Sequence, residues 1–409
     1  MELAKKLLLP CGTILPNRLG KSAMSENMAS KDHIPGLKFF NAYSQWAQGG
    51  TGLLISGNVM VDSQYRGEAN NVVIEKGCNN HKELKSWACS CEGTESQLWI
   101  QLNHPGKQTP KFLTKVPVAP SSIPLKSPLD AMFNQPRELA HEEILDIIGR
   151  FAYAAKICKE TGFHGVQIHG AHGYLISQFL SKHHNQRTDE WGGSAENRLR
   201  FVREIYKAIR HEVGPKYPIG IKMNSADFSK GGFDHEEAIH VAKTLSDLGI
   251  DLIEISGGSY EKPAMTGSPI KESTIKREAY FIEYAKEIKA KIACPIMVTG
   301  GFRTREFMEE SLKKRELDII GLARPLCINP NFSNQLLSGE DVVSEVKPLS
   351  SGIKIIDTIF PLEIIWYTMQ INRMGENKKP CANASVYLAI FNTALDTGMQ
   401  SLRRVRGKS

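Results

Sequence analysis

Eight short runs of apolar and β-branched residues, ending near Met24, Ser56, Gln101, His169, Met223, Ser256, Thr299 and Leu322, alternate with longer amphipathic segments through most of this chain. Parallel strands need a long crossover between them, and a helix that covers the sheet is the usual solution, so this alternation predicts parallel strands clothed in helices. The period of the intervening segments agrees. In 142–160, Ile144, Ile147, Ile148, Phe151, Ala154, Ala155 and Cys158 recur at helical spacing and Gly162 follows as a stop. Similar stripes occupy 196–213, 236–248, 278–288 and 305–313, while 165–168 and 251–255 read as fully buried strands.

A doubly wound open sheet would give the same alternation. Eight units spread over about 340 residues suit a closed barrel better, and the expected class is α/β, a (β/α)8 TIM barrel over residues 1–345. Residues 103–137, rich in Pro, Ser and Lys, follow the third strand and predict a long loop or cap on the face where strands end. From 346 to 409 the pattern changes: 352–375 reads as one or two short apolar segments, a C-terminal extension whose Ile364, Ile365 and Trp366 suit either capping the barrel or building a homo-oligomer interface.

Composition excludes several classes. The chain is 41% hydrophobic, enough for a full core, and has no apolar run long enough to span a membrane. Its start carries Glu2, Lys5 and Lys6 around a short apolar patch, unlike a signal peptide, so the expected location is cytoplasmic. A net charge of +7 is modest, and the densest basic stretch, Arg403 to Lys408, lies at the extreme end; neither nucleic acid nor membrane is the expected partner, but a small molecule is. None of the eight cysteines forms a CxxC pair, and the extension holds only Cys381, so no four-thiolate cluster can be built there and no metal is expected.

Reactive groups of a barrel project from the C-terminal ends of its strands. The richest such segment is Gly165-Val-Gln-Ile-His169-Gly-Ala-His172-Gly-Tyr174. Two imidazoles three apart can share one substrate oxygen, which is how a developing enolate is stabilised, and Tyr174 is then a candidate proton donor. Taken alone, His169 and His172 read first as packing residues, then as substrate ligands, and last as a His-x-x-His metal pair. His183 and His184 read as a surface or loop pair, and Lys107 receives no role.

His169-Gly-Ala-His172-Gly-Tyr174, followed by Asn185-Gln-Arg187-Thr-Asp189-Glu-Trp-Gly192-Gly193-Ser-Ala-Glu196-Asn197-Arg198, resembles the signature of the old yellow enzyme family. The resemblance runs from about Leu15 to Pro330 and includes Leu15-Pro-Asn-Arg18-Leu-Gly-Lys-Ser22-Ala-Met24 and Val298-Thr-Gly300-Gly301-Phe. It implies an FMN-binding barrel in which His169 and His172 hold a substrate carbonyl over the flavin and Tyr174 supplies a proton. It also implies that Ser22, Ala23, Met24 and Ser25 lie along the isoalloxazine, with Gly57, Gln101 and Lys222 around it. The phosphate would then sit at Gly300, Gly301, Gly321, Ala323 and Arg324. Three positions depart from the family: Ser25 stands for cysteine or threonine, Lys222 for the commoner arginine, and Asn27 for an aromatic acid. Lysine keeps the charge that favours reduced flavin but loses the planar fork. Arg187 and Asp189 are expected to lock the loop after strand four.

The implied activity is an ene-reductase taking hydride from NADPH or NADH through FMN to the C=C bond of an α,β-unsaturated carbonyl compound. No separate GxGxxG dinucleotide domain is present, as expected if the nicotinamide stacks on the flavin. The rival readings are a 2,4-dienoyl-CoA reductase-like or other specialised relative, and a flavin-binding protein without turnover.

Overall fold

The computed structural model describes residues 1–78, 80–227, 231–258, 261, 278–353, 356–357 and 361–395. Eight parallel strands close into a barrel in chain order: β1 (Leu19–Lys21), β2 (Leu53–Met60), β3 (Gln97–Asn103), β4 (Gly165–Gly170), β5 (Ile219–Asn224), β6 (Leu252–Ser256), β7 (Ile296–Thr299) and β8 (Ile319–Leu322). The β8–β1 pairing, Ile320 opposite Leu19, completes the circle. Helices α1 (Leu37–Gln48), α2 (His81–Ala88), α3 (His141–Glu160), α4 (Ala195–Val213), α5 (His235–Asp247), α6 (Ile282–Lys289) and α7 (Arg305–Lys313) fill the crossovers.

Local chemistry starts these helices where they start. Ser194 caps α4 by accepting the Asn197 N–H, and Asp234 caps α5 by accepting the Glu237 N–H at 3.0 Å while Glu237 reaches back to the Asp234 N–H. The 278–288 stripe begins late, at Ile282, because Glu278 is used elsewhere. Its carboxylate accepts the Arg303 and Thr304 N–H groups at 2.7 and 3.0 Å and the Thr304 hydroxyl at 2.7 Å, satisfying the start of α7.

The strands carry two separate cores because their side chains alternate. Outward residues such as Leu98, Ile100, Val166, Ile168, Ile253 and Ile255 pack under the helices. Inward Leu53, Ile55, Trp99, Leu252, Met297 and Ile319 fill the lower barrel, which the antiparallel pair Leu7–Leu8 and Ile14–Leu15 closes from below with Leu7, Leu9 and Leu15. Glycines of inward parity admit this filling: a Cβ on Gly165 would lie 2.7 Å from the Trp99 ring. Above that apolar layer the inward positions are polar side chains or glycine, and the site begins there.

Three strand ends differ from expectation. β1 stops at Lys21 rather than near Met24; Ala23 and Met24 are apolar enough to mimic strand, but after the Ser22 N–H bonds to Leu322 O at 2.8 Å the chain leaves the ladder. β2 continues to Met60 through a register break between Ile55 and Asn58, and β3 continues to Asn103. The loop after β3 forms a small ladder, Val118–Ala119 against Arg137–Glu138, at the mouth.

Beyond β8, helix α8 (Leu362–Gly375) lies against α1, with Gly375 O accepting from Asn41 at 2.8 Å and Met374 O from Gln45 at 2.9 Å. Among the described residues no helix is long and apolar enough to cross a membrane, and no group of three His, Cys, Asp or Glu side chains could hold a metal ion. The basic stretch from Arg403 to Lys408 lies outside the described residues.

Candidate active site

A hydrogen-bonded belt crosses the barrel mouth at the first polar layer. The Thr299 hydroxyl donates to Glu254 Oε1 at 2.7 Å, which commits its only proton, so in the 2.6 Å Ser22–Thr299 contact Ser22 must donate. On the other side Gln167 Nε2 donates to Glu254 Oε2 at 2.7 Å, and Gln101 Nε2 donates to Gln167 Oε1 at 2.7 Å. Lys222 Nζ meets Glu254 Oε1 at 3.0 Å. Burial works against the Glu254 charge, but the attraction of Lys222 and the hydrogen bonds from Thr299 and Gln167 outweigh it and hold the carboxyl below its usual range.

At the end of β4 stands a wall of aromatic donors. His169 Nδ1 accepts the Ala171 N–H at 3.3 Å, so the neutral ring carries its proton on Nε2. His172 has φ of 61°, a left-handed conformation costing about 1 kcal/mol or more for a residue other than glycine. Its N–H bonds to Asn224 Oδ1 at 3.2 Å, and its Nε2 lies 2.9 Å from Ser256 Oγ. The two imidazole centroids are 5.2 Å apart, and Tyr174 stacks edge-on to His169 at 4.8 Å. Burial first, then the neighbouring His172 and Lys222, keep the His169 pKa well below the ordinary histidine value; burial and Lys222 do the same for His172. The wall is therefore uncharged at neutral pH.

The third side is the turn after β1. Ser25 Oγ hydrogen-bonds Glu68, and Tyr43 OH hydrogen-bonds Glu26, whose carboxylate lies 3.8 Å from Lys21 Nζ. Gly57 is required here by close packing of the chain on itself, since a Cβ would lie 2.3 Å from Met24 O. Helix α8 grips the same turn: Thr368 Oγ1 donates to Ser25 O and Asn372 Nδ2 to Glu26 O, both at 3.1 Å.

Gly300 and Gly301 follow β7 with φ of 119° and 87°, conformations that suit glycine. A Cβ on Gly321 would lie 2.0 Å from Thr299 Oγ1. Ala323 precedes the short helix Arg324–Ile328, and the Arg324 guanidinium bonds Glu363 of α8 at 3.2 Å.

Ser22, Gln101, His169, Lys222 and Gly321 thus share the inward parity of their strands, Gly57 lies in the register break of β2, and His172 and Tyr174 join them from the turn. Sequence reasoning missed Glu254, Thr299, Gln167 and Ser256, which have that parity too. It also missed Asn103, two residues beyond Gln101, whose buried amide has no partner on either atom among the described residues. The reading of His184 as a surface residue is corrected: its ring is buried, with Lys107 Nζ 2.9 Å from Nδ1 and Glu261 3.5 Å from Nε2. Two long polar side chains at the cap base find each other, which neither position reveals alone. Arg187 does lock its loop, binding Asp189 and the carbonyls of Pro120 and Leu139.

A buried amide without a partner among the described residues, a cation and amide donors at the ends of β3 to β6, and paired left-handed glycines after β7 are residue types that could hold a polar ring and an anion. The chain also resembles known proteins. Residues 11–341 match the model of the NADH:flavin oxidoreductase / NADH oxidase family. The chain is 38% identical over 362 residues to the NADH-dependent flavin oxidoreductase iliE of Hypocrea jecorina (strain QM6a), covering 82% of this chain and 89% of that one. Among solved structures, a 2-naphthoyl-CoA reductase complex superposes with a TM-score of 0.77 at 27% identity, over 84% of this chain and 53% of that one. Morphinone reductase superposes at 0.71 and 23% identity, over 85% of this chain and 91% of that one, a likeness of fold.

Proposed function

Because the chain belongs to the NADH:flavin oxidoreductase / NADH oxidase family, of the old yellow enzyme type, and is an oxidoreductase, we propose that it is an FMN-dependent ene-reductase acting on α,β-unsaturated carbonyl compounds. Bound FMN would supply the hydride, received from NADH or NADPH and passed to the β-carbon of the substrate. The likeness to an NADH-dependent relative favours NADH. Residues 1–345 are the catalytic barrel in this reading and 346–409 an extension, whose helix α8 steadies the turn after β1.

The observation that carries the proposal is the neutral pair His169 and His172 beside Tyr174, next in register to Lys222. The His169 Nε2–H, and the His172 ring held against Ser256, would orient the substrate oxygen and bind it more tightly as it gains negative charge. Tyr174 O–H would then deliver a proton to the α-carbon. Ser22, Ala23, Met24, Ser25, Gly57, Gln101 and Lys222 would hold the ring; Gly300, Gly301, Gly321, Ala323 and Arg324 would hold the phosphate, with Arg324 exchanging its contact to Glu363 for the stronger one.

The visible spectrum of the protein, before and after p-hydroxybenzaldehyde is added, tests both halves. A flavin spectrum that gains a long-wavelength charge-transfer band is the expected result. A protein that stays colourless after FMN reconstitution ends the proposal, and a flavin spectrum indifferent to the phenol removes the substrate pocket while leaving the cofactor.

A further inference from the structure

Lys222 is the one inward cation of the belt described above, and on its own it would favour the reduced flavin strongly, since two-electron reduction places negative charge at the pyrimidine end of the ring. It does not stand alone. In the parallel register Lys222 has His169 on one side and Glu254 on the other, and the carboxylate is 0% exposed at 3.0 Å. At this depth the pair is electrically close to neutral when seen from the mouth.

Glu254 has a second effect, through hydrogen-bond direction. A carboxylate only accepts, so Gln167 must turn its NH2 toward Glu254 and its carbonyl toward Gln101. Gln101 must in turn spend an N–H on Gln167. The charge on β6 therefore dictates, three strands away, which edge Gln101 presents to a ligand. The main-chain end of the relay is fixed, because the Gln101 N–H is held by Ser56 Oγ at 2.8 Å.

We propose that Glu254 is a positioning residue that lowers the flavin reduction potential by offsetting Lys222 and by orienting the Gln167–Gln101 relay. This rests on the reading that Lys222 and Gln101 border bound FMN.

The test is the flavin midpoint potential of the FMN-loaded protein, equilibrated against a reference dye, for wild type, Glu254→Gln, Glu254→Asp and Lys222→Ala. Glu254→Gln keeps the side-chain shape, and both glutamines can flip to reverse the relay, so the fold has a way to accept it. At a fixed solution potential, Glu254→Gln should raise the ratio of reduced to oxidised flavin about tenfold or more, a rise of about 30 mV for a two-electron couple. Glu254→Asp keeps the charge and should stay within about threefold of wild type, whereas a purely structural role would move both variants alike. Lys222→Ala should move the ratio the other way. If Lys222→Ala lowers the potential and Glu254→Gln leaves it unchanged, the role of Glu254 is overturned and the cofactor assignment stands. If neither changes it, Lys222 does not face the flavin, and both fall. Should Glu254→Gln not retain FMN, an aspartate variant whose ratio of reduced to oxidised flavin departs from wild type tenfold, about 30 mV in potential, is enough to refute the proposal.

Discussion

The wall at the end of β4 and the belt that runs from Gln101 on β3 to Thr299 on β7 border the same mouth and present hydrogen-bond donors in opposite ways. The wall is neutral: burial keeps two imidazoles uncharged, and one backbone contact, Ala171 N–H to His169 Nδ1, fixes the tautomer that offers a proton. The belt is charged but compensated, Lys222 by Glu254. A neutral donor binds a carbonyl weakly and an enolate oxygen much better, so its contribution grows along the reaction coordinate. A fixed cation would hold anions whether or not reaction occurs. If the belt borders the flavin and the wall the substrate, as proposed, the separation would suit a site that binds its cofactor permanently and its substrate transiently.

The largest effect expected from breaking that separation follows removal of the wall. His169→Ala with His172→Ala should weaken binding of p-hydroxybenzaldehyde by about a hundredfold or more, since hydrogen bonds to a charged oxygen contribute about 1.5–3 kcal/mol each. FMN content should be unchanged. Titration of the charge-transfer band measures the first, and the flavin-to-protein absorbance ratio the second; loss of FMN from this variant would mean that wall and belt are one structure. A smaller effect is expected at Tyr174. Tyr174→Phe should slow reoxidation of the reduced enzyme by 2-cyclohexenone about a hundredfold, the lower range for a positioned acid, and leave reduction by NADH unaltered in stopped flow. Equal slowing of both half-reactions would place the tyrosine in nicotinamide binding instead.

Much of this was legible beforehand because it depends on local period. Strand–helix alternation gives the barrel, and strand ends give the residues at its mouth. The His169 to Tyr174 turn is contiguous, so its geometry is written in one segment. What escaped was long-range pairing. Glu254 lies in Leu-Ile-Glu-Ile-Ser, a strand read as buried on both faces, and an ionised side chain in such a run must have a partner. Counting by twos places it on the face of Ser256, and strand order places it beside Lys222. That signal was present and overlooked. The Ser25–Glu68 and Arg324–Glu363 contacts, by contrast, join segments 43 and 39 residues apart through loops whose course no periodicity dictates.

The smallest expected effect is a near-constant, and it probes the neutrality of the wall directly. Affinity for 2-cyclohexenone, which does not ionise, should vary less than about twofold as the pH falls from about 8 to about 6.5, the ordinary histidine value, since burial and Lys222 hold His169 and His172 well below it. Affinity that rises as pH falls would show an imidazolium forming, and the contrast between wall and belt would be lost. Stability supplies the internal control. Burial pushes His104 down to about 3 and His184 down to about 2, whereas unfolded imidazoles titrate near about 6.5, so below that pH the unfolded chain binds more protons. This stabilisation is complete above about pH 6.5 and declines by up to about 1.4 kcal/mol per pH unit for each such histidine as the pH falls. The melting temperature should therefore drop on acidification while the ligand affinity of the folded protein holds level, because His104 and His184 take up protons only on unfolding and the wall histidines stay neutral while the protein is folded.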